Sequence, residues 1–358
     1  MILIETAILT AVFAYAILIF VWLIAWHKAP DEGITESSDG SIAVALNNEA
    51  GNVPALLACL RRQKAAAIAL VDDHSADSTY NSLMSLVGRD SRFVVLRNTR
   101  PGGKKNALRT AVRSLHEAKV MAFTDADCQM ADSWASTLCA KCESSHADMV
   151  IAPVAMLGDG SFLTHLFELD FLALQVCTAG SALAGMPFLC NGASLAVRRE
   201  AYLSANLNDA FVSGDDVFLL SFLKQNGGKI VYAKSAQALV TTRCPTTLKG
   251  FVRQRTRWFR KASGYTDWQM IVFPIVIFVS NMVWPVALIL AACEAGSWCT
   301  AAAAIAAKFM TDSAVLWSGR KFWKIRVDSL TVATLFIVYP IYILLIVFSS
   351  LFKNKGRW

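Results

Sequence analysis

Asp125 and Asp127, two carboxylates one residue apart, close a short apolar run, KVMAFT (119–124). At a strand end such a pair offers hard oxygen ligands to Mg2+ or Mn2+, and the cation can in turn hold a diphosphate. The turn Gly102-Gly103-Lys104-Lys105 opens a helical stretch, placing backbone N–H groups and cations near an anion. No G-x-x-x-x-G-K-[ST] phosphate loop is present, which argues against an ATPase. Ser213-Gly214-Asp215-Asp216 leads into VFLLSFLKQ. The acids could serve only as helix-start charges, or one could be a general base that takes a proton from an attacking hydroxyl. In Gln254-Arg255-Thr256-Arg257-Trp258 the helical spacing i, i+3, i+4 projects Gln254, Arg257 and Trp258 from one face. An amide, a guanidinium and an indole together suit a sugar or diphosphate leaving group with an acceptor above it. An interfacial anchoring helix would carry the same pattern, and both can hold.

These groups need elements that converge. Short apolar runs at 42–46, 67–71, 93–97, 119–124 and 149–154 alternate with helix-like segments at 52–63, 77–87, 103–117 and 132–144. That alternation predicts βαβ units and a parallel sheet. Polar residues then fall at strand ends: Asn47, Asn48 and Glu49 after the first, Asp72 and Asp73 after the second, Asp125 and Asp127 after the fourth. Ligands bind outside the carboxyl ends of strands in open α/β sheets, so one crevice is expected to collect them. Asp73-His74-Ser75 could alternatively cap the following helix.

The rest of the chain reads differently. Its 358 residues are 55% hydrophobic and 17% charged, with a mean hydropathy of +0.44. That is too apolar for an ordinary soluble protein. Residues 6–26, 269–292 and 329–352 are uncharged runs long enough to cross a bilayer. The first is too long, and lacks the basic start and exit site, for a signal peptide. The Ala-rich 295–318 holds Lys308 and Asp312 and reads as a further span with an intramembrane polar pair, or as an interfacial helix. Segment 243–261 has seven basic residues and no acidic one just before a span, which places the middle of the chain in the cytosol. The C-terminal side stays open, because Arg320, Lys321, Lys324 and Arg326 precede the last span and Lys353, Lys355 and Arg357 follow it. The net charge of +7 is then largely a collar for anionic lipid rather than a nucleic-acid surface. Nine cysteines, with one lone C-x-x-C at Cys139 and Cys142, read as free thiols of a reducing compartment. The divisions expected are an N-terminal membrane helix at 1–27, a cytosolic α/β domain at 28–262 entered by a linker over 28–40, and a membrane region at 269–358 with two or three helices. An interfacial Q-x-x-R-W segment lies at 242–268.

Taken in order, Asp72-Asp73-x-Ser75, Gly103-Lys104-x-x-Ala107-Leu108, Asp125-x-Asp127, Asn191-Gly192-x-x-x-Ala196-x-Arg198-Arg199, Gly214-Asp215-Asp216 and Gln254-x-x-Arg257-Trp258 resemble the motifs of membrane-bound family 2 glycosyltransferases. The likeness covers roughly 41–262. It implies a Rossmann-like GT-A fold, a nucleotide-diphosphate-sugar donor (a UDP-sugar by family habit), Mg2+ or Mn2+, and inversion at the anomeric carbon. It also implies roles. Asp72 and Asp73 would contact the nucleoside, with Asn48 and Glu49 on the donor side. Asp125 and Asp127 would hold metal and diphosphate with Lys104 nearby. Asp216, or less well Asp215, would be the base, and Gln254, Arg257 and Trp258 would bind pyrophosphate and frame the acceptor. Asn47-Asn48-Glu49-Ala50 departs from the more usual R-N-E-E, which leaves the part played by Glu49 open.

The motif set is similar to both ceramide glucosyltransferase-like enzymes and hyaluronan, chitin or cellulose synthases. Few spans, the apolar small-residue stretch 166–190 and the basic collar favour a membrane lipid over a growing polymer. The stretch 166–190 could also be ordinary core. An inactive membrane scaffold is the non-enzymatic alternative, and the filled acidic and Q-x-x-R-W positions argue against it. A transporter is disfavoured because the spans show no repeat.

Overall fold

The computed structural model describes residues 1–33, 39–98, 102–211 and 213–351. The chain starts with α1 (Ile2–Lys28), then β1 (Ser41–Leu46), α2 (Val53–Arg62), β2 (Ile68–Asp72), α3 (Thr79–Leu86), β3 (Phe93–Arg97), α4 (Gly103–Ser114) and β4 (Val120–Asp125). Next come β5 (Gln129–Met130), α5 (Trp134–Ser144), β6 (Met149–Ile151), β7 (Val154–Leu157) and the long α6 (Phe162–Leu183). β8 (Leu195–Arg198), α7 (Arg199–Ser204), α8 (Asp215–Gln225), β9 (Ile230–Tyr232) and β10 (Val240–Arg243) follow. The chain closes with α9 (Leu248–Phe259), α10 (Trp268–Ala292), α11 (Trp298–Trp323) and α12 (Ser329–Leu351). Part of the linker expected over 28–40, residues 34–38, lies outside the described residues, as do Lys353, Lys355 and Arg357.

Two units emerge. Among the described residues, those of 30–157 and 189–243 form an α/β unit, whereas 1–29, 158–188 and 244–351 form a helical unit. This differs from a contiguous domain at 28–262, because 158–188 and 244–262 group with the helices. Their apolar and aromatic side chains find partners distant in sequence, which composition alone does not reveal.

In the α/β unit a seven-stranded sheet runs β3-β2-β1-β4-β8-β6-β9. β1 and β2 are wholly buried apolar runs, as expected of strands covered on both faces. β3, β2, β1 and β4 are parallel. The all-parallel expectation is corrected at β8, which pairs antiparallel with both β4 and β6. The crossover through α5 sets β6 two places from β4, and β8 fills the gap between them from the opposite direction. Pro153 also divides the apolar run 149–154, since proline has no N–H for a ladder. β6 stays in the main sheet and β7 joins a three-stranded one, β5-β10-β7. The chain steps outward through β1, β2 and β3, then returns to place β4 on the other side of β1. The carboxyl ends of β1 and β4 therefore flank the point where strand order reverses, where such sheets bind ligands. Cys139 and Cys142 sit buried on α5, and burial pushes the Cys142 thiol up to about 12.

Five helices of the helical unit, α1, α6, α10, α11 and α12, are long and apolar enough to span a membrane. α6 was not among the sequence-derived spans, and 67% of its most apolar window is buried inside the protein. α1 packs on α6, α10 and α11, with Trp22 stacked on Phe188 at 5.2 Å and edge-on to Phe273 at 5.2 Å. The polar pair Lys308 and Asp312 forms an ion pair within α11, and Tyr15 of α1 donates to Asp312 at 2.7 Å. Gly180 marks the α1–α6 crossing: a Cβ there would lie 2.7 Å from the Trp22 carbonyl oxygen. Small residues permit such approaches between apolar helices. Gly180→Ala is expected to cost about 1–3 kcal/mol, read as a lower thermal midpoint in detergent. Gly51→Ala, where a Cβ meets nothing within 4 Å, serves as the neutral control.

Candidate active site

The α/β unit gathers its acids at the carboxyl end of the sheet. Asp125 is the last residue of β4 and pairs in register with Ala45 of β1. Its Oδ1 accepts from Lys104 Nζ at 2.6 Å. Asp127, two residues on and exposed, accepts from the Thr242 hydroxyl of β10 at 2.9 Å. The small second sheet thus holds the outer carboxylate of the pair.

Lys104 joins this pair to the start of α8. Its Nζ also lies 3.7 Å from Asp215 Oδ2. Burial alone would lower the Lys104 pKa, but Asp125, then Asp215 and Asp216, raise it above the ordinary lysine range. The ammonium ion therefore persists throughout neutral pH. Asp216 Oδ2 accepts from the backbone N–H of Gly192 at 3.0 Å, and its Oδ1 accepts from Val217 N at 2.8 Å. Gly192 is crowded: a Cβ there would meet Lys104 Nζ at 3.3 Å and Asp215 Oδ2 at 3.5 Å. Glycine lets backbone enter the acid cluster and offer its N–H. Gly214, with φ 96°, occupies the left-handed region as α8 begins, a conformation glycine adopts without the Cβ penalty.

On the β1 and β2 side the polar residues build a wall. Asn47 Nδ2 donates to Asp73 O at 2.8 Å, Asn48 N to Ser75 Oγ at 2.9 Å, and Glu49 N to Thr79 Oγ1 at 2.8 Å. Burial, with Asp127 and Asp125 adding to it, raises the Glu49 pKa despite a hydrogen bond from Asn52. Asp72 is fully buried and paired with Arg97 at 3.1 Å, and its Oδ1 has no hydrogen-bond partner among the described residues. Asp73 accepts from Asn98 Nδ2 at 2.7 Å and Gly102 N at 3.0 Å through Oδ1, and from Gly103 N at 2.8 Å through Oδ2. Asp73 therefore holds the glycine turn that launches α4 and Lys104, and does not simply cap the helix after it.

Gln254, Arg257 and Trp258 belong to the helical unit, on α9. Arg257 is exposed and the other two are half-buried; Gln254 Oε1 is buried without a hydrogen-bond partner among the described residues. Between them Arg255 turns inward, pairs with Asp170 of α6, and lies 4.4 Å from the Trp258 ring.

Sequence reasoning missed Thr242 and the Asp170–Arg255 pair, which act across long separations in the chain and carry no motif of their own. It set Lys105 beside Lys104 as a cation near an anion, and the structure instead turns Lys105 to the carbonyl oxygens of Leu207, Asn208 and Phe211. Gly192 was visible within Asn191-Gly192, but its contact with Asp216 was not.

The glycosyl transferase family group 2 profile matches residues 122–350, well over half of the chain. This protein is a family 2 glycosyltransferase. A second profile, glycosyl transferase family 2, matches 41–202. Asp72, Asp73 and Lys104 fall within the latter match, and Asp215, Asp216 and the Q-x-x-R-W helix within the former. No curated protein matches the glycosyltransferase in sequence. Among solved structures it is similar to the mannosyltransferase PcManGT from Pyrobaculum calidifontis, solved with GDP-Man and Mn2+. That likeness has 18% identity and a TM-score of 0.59 over 98% of this chain and 99% of that one. It is also similar to GalNAc-T7, solved with UDP, GalNAc and Mn2+, with 14% identity and a TM-score of 0.46 over 66% of this chain and 49% of that one. The GT-A-like fold expected from the sequence is present.

Proposed function

We propose that this glycosyltransferase moves a sugar from a nucleotide-diphosphate donor to a membrane-associated acceptor, a lipid, with inversion at the anomeric carbon. The observation that carries the reading is the Asp125–Lys104–Asp215–Asp216 cluster at the switch point of the sheet. It juxtaposes a persistent cation, a diphosphate-facing carboxylate and a candidate base. Asp215 lies against Lys104 at 3.7 Å, and an ion-paired carboxylate is a poor proton acceptor. Asp216, more exposed and held by Gly192 N–H, is the better base. The acceptor hydroxyl attacks the anomeric carbon from the side opposite the nucleotide and passes its proton to Asp216. Lys104 faces the negative charge that builds on the leaving diphosphate.

A divalent cation fits the donor set. Among the described residues no three His, Cys, Asp or Glu side chains come together as a metal site. Two carboxylates completed by substrate phosphates are nevertheless the usual arrangement for Mg2+. Asp125 and Asp127 would hold it, and when bound it neutralises charge on the diphosphate. Asp72, Asp73, Asn48 and Glu49 form the nucleoside side of the proposed site, Asp73 acting through the glycine turn. The assignments of Gln254, Arg257 and Trp258 to pyrophosphate and acceptor rest on their motif alone. The apolar helices and the basic segment 243–261 support a place in the cell membrane with the α/β unit in the cytosol.

Nucleotide release by the detergent-purified full chain, across UDP- and GDP-sugars with and without Mn2+ and with membrane lipid present, tests this reading. Mn2+-dependent release with one donor and a singly glycosylated lipid product are expected. The family likeness favours a UDP-sugar, and the neighbour's GDP-Man makes GDP donors the second arm. A long polymer would replace the lipid reading with a processive synthase, and silence with every donor would overturn the proposal.

A further inference from the structure

Adjacent residues on a helix point about 100° apart, so Lys104 and Lys105 cannot serve the same site. Lys104 reaches the acids, whereas Lys105 turns into the protein and is 4% exposed. Its ammonium group has three protons, and three carbonyl oxygens take them: Leu207 at 2.7 Å, Asn208 at 2.8 Å and Phe211 at 2.8 Å. The Phe218 ring of α8 lies 4.6 Å from the same nitrogen, and Phe211 packs on Phe218 at 5.2 Å. One turn along α4, Arg109 grips Asp209 at 2.9 and 3.0 Å. All these partners lie in, or just after, the segment that leads into Gly214-Asp215-Asp216. Gly214 is left-handed and caps α8 with no side chain of its own, so what holds the segment before it helps to set that entry.

Building on the functional reading above, we propose that Lys105 is a positioning residue for Asp216. Its buried ammonium ion clamps the 207–211 turn, so that α4 sets the diphosphate-facing Lys104 and the base in one register. The role belongs to the charge and its threefold donor geometry. Methionine matches the length but donates nothing. Arginine keeps the charge but presents a planar fork.

The test compares wild-type protein, Lys105→Met, Lys105→Arg and Arg109→Gln, all full-length in detergent. Donor affinity is measured by calorimetry with Mn2+, transfer by kcat, and loop order by hydrogen exchange over 206–216. Displacing a catalytic group by an ångström can cost about 10²-fold, and Lys105→Met is expected to lose kcat on that scale while donor affinity stays unchanged and 206–216 loses protection. Lys105→Arg should recover part of the rate. Arg109→Gln, at the half-exposed outer contact, should show a smaller loss of the same kind, and it carries the test if Lys105→Met does not fold. Wild-type kcat in Lys105→Met, or in Arg109→Gln when Lys105→Met is unfolded, overturns the proposal, as does a fall in donor affinity that matches the fall in kcat. If the wild-type protein transfers no sugar, the functional reading has failed. The clamp is then judged on exchange alone: lost protection over 206–216 sustains it, and unchanged protection overturns it.

Discussion

Asp216→Asn is expected to lower sugar transfer by about 10²–10⁴-fold, the usual contribution of a positioned general base, while leaving donor affinity near wild type. The substitution preserves shape, and the Gly192 N–H that reaches Oδ2 at 3.0 Å can still donate to the amide oxygen, although the Val217 N–H bond to Oδ1 is lost. What disappears is the basic carboxylate that, in the proposed mechanism, takes the acceptor's proton. Asp215→Asn should behave differently. Asp215 is 6% exposed and lies 3.7 Å from Lys104, so removing its charge leaves Lys104 less neutralised and is expected to change donor affinity more than the proton-transfer step. Measuring kcat and donor dissociation constants for both variants separates the roles. Near-normal turnover in Asp216→Asn beside a collapse in Asp215→Asn would transfer the base assignment to Asp215.

The second large effect lies in the helical unit. Asp170 and Arg255 form an ion pair with side chains only 3% and 5% exposed, and the guanidinium lies over Phe251 at 4.8 Å and Trp258 at 4.4 Å. Asp170→Ala strands a buried cation, at an expected cost of about 3–5 kcal/mol. That is a large part of the roughly 5–15 kcal/mol separating folded from unfolded protein. Replacing both partners, as Asp170→Leu with Arg255→Met, should recover much of it, because neither charge is then left unpaired. Thermal midpoints in detergent give the comparison. A single variant as stable as wild type would show that Arg255 reaches solvent and that the pair does not anchor α9. On the function proposed above the anchoring bears on activity as well, because the same helix carries Gln254, Arg257 and Trp258.

Local pattern carried much of the α/β unit. Runs such as IAVAL and IALV, short and bounded by turn residues, read as strands buried on both faces, and the acids that follow them were then expected at one sheet end. The four parallel strands and their helices accordingly lie within a few residues of the sequence reading, and so do the strand-end acids. Less legible was what each acid does there. Asp73 reads as a ligand or a cap, yet its carboxylate is occupied by Asn98, Gly102 and Gly103, partners that only the packing of β2 against α4 supplies. Lys105 was indistinguishable from its neighbour in a K-K pair, since the choice between acid cluster and carbonyl clamp depends on helix phase and on a segment about a hundred residues later.

The same division holds for the helices. By itself the sequence determined which segments are long and uncharged enough for a bilayer, because that property is local and additive along the chain. It also determined the order of the glycosyltransferase motifs. Only the tertiary structure decided that 158–188 and α9 join the helical unit, that β8 enters antiparallel, and that Asp216 is held by the Gly192 N–H. Those outcomes depend on long-range pairing of side chains and backbone groups, where many partners are chemically equivalent and geometry alone selects among them.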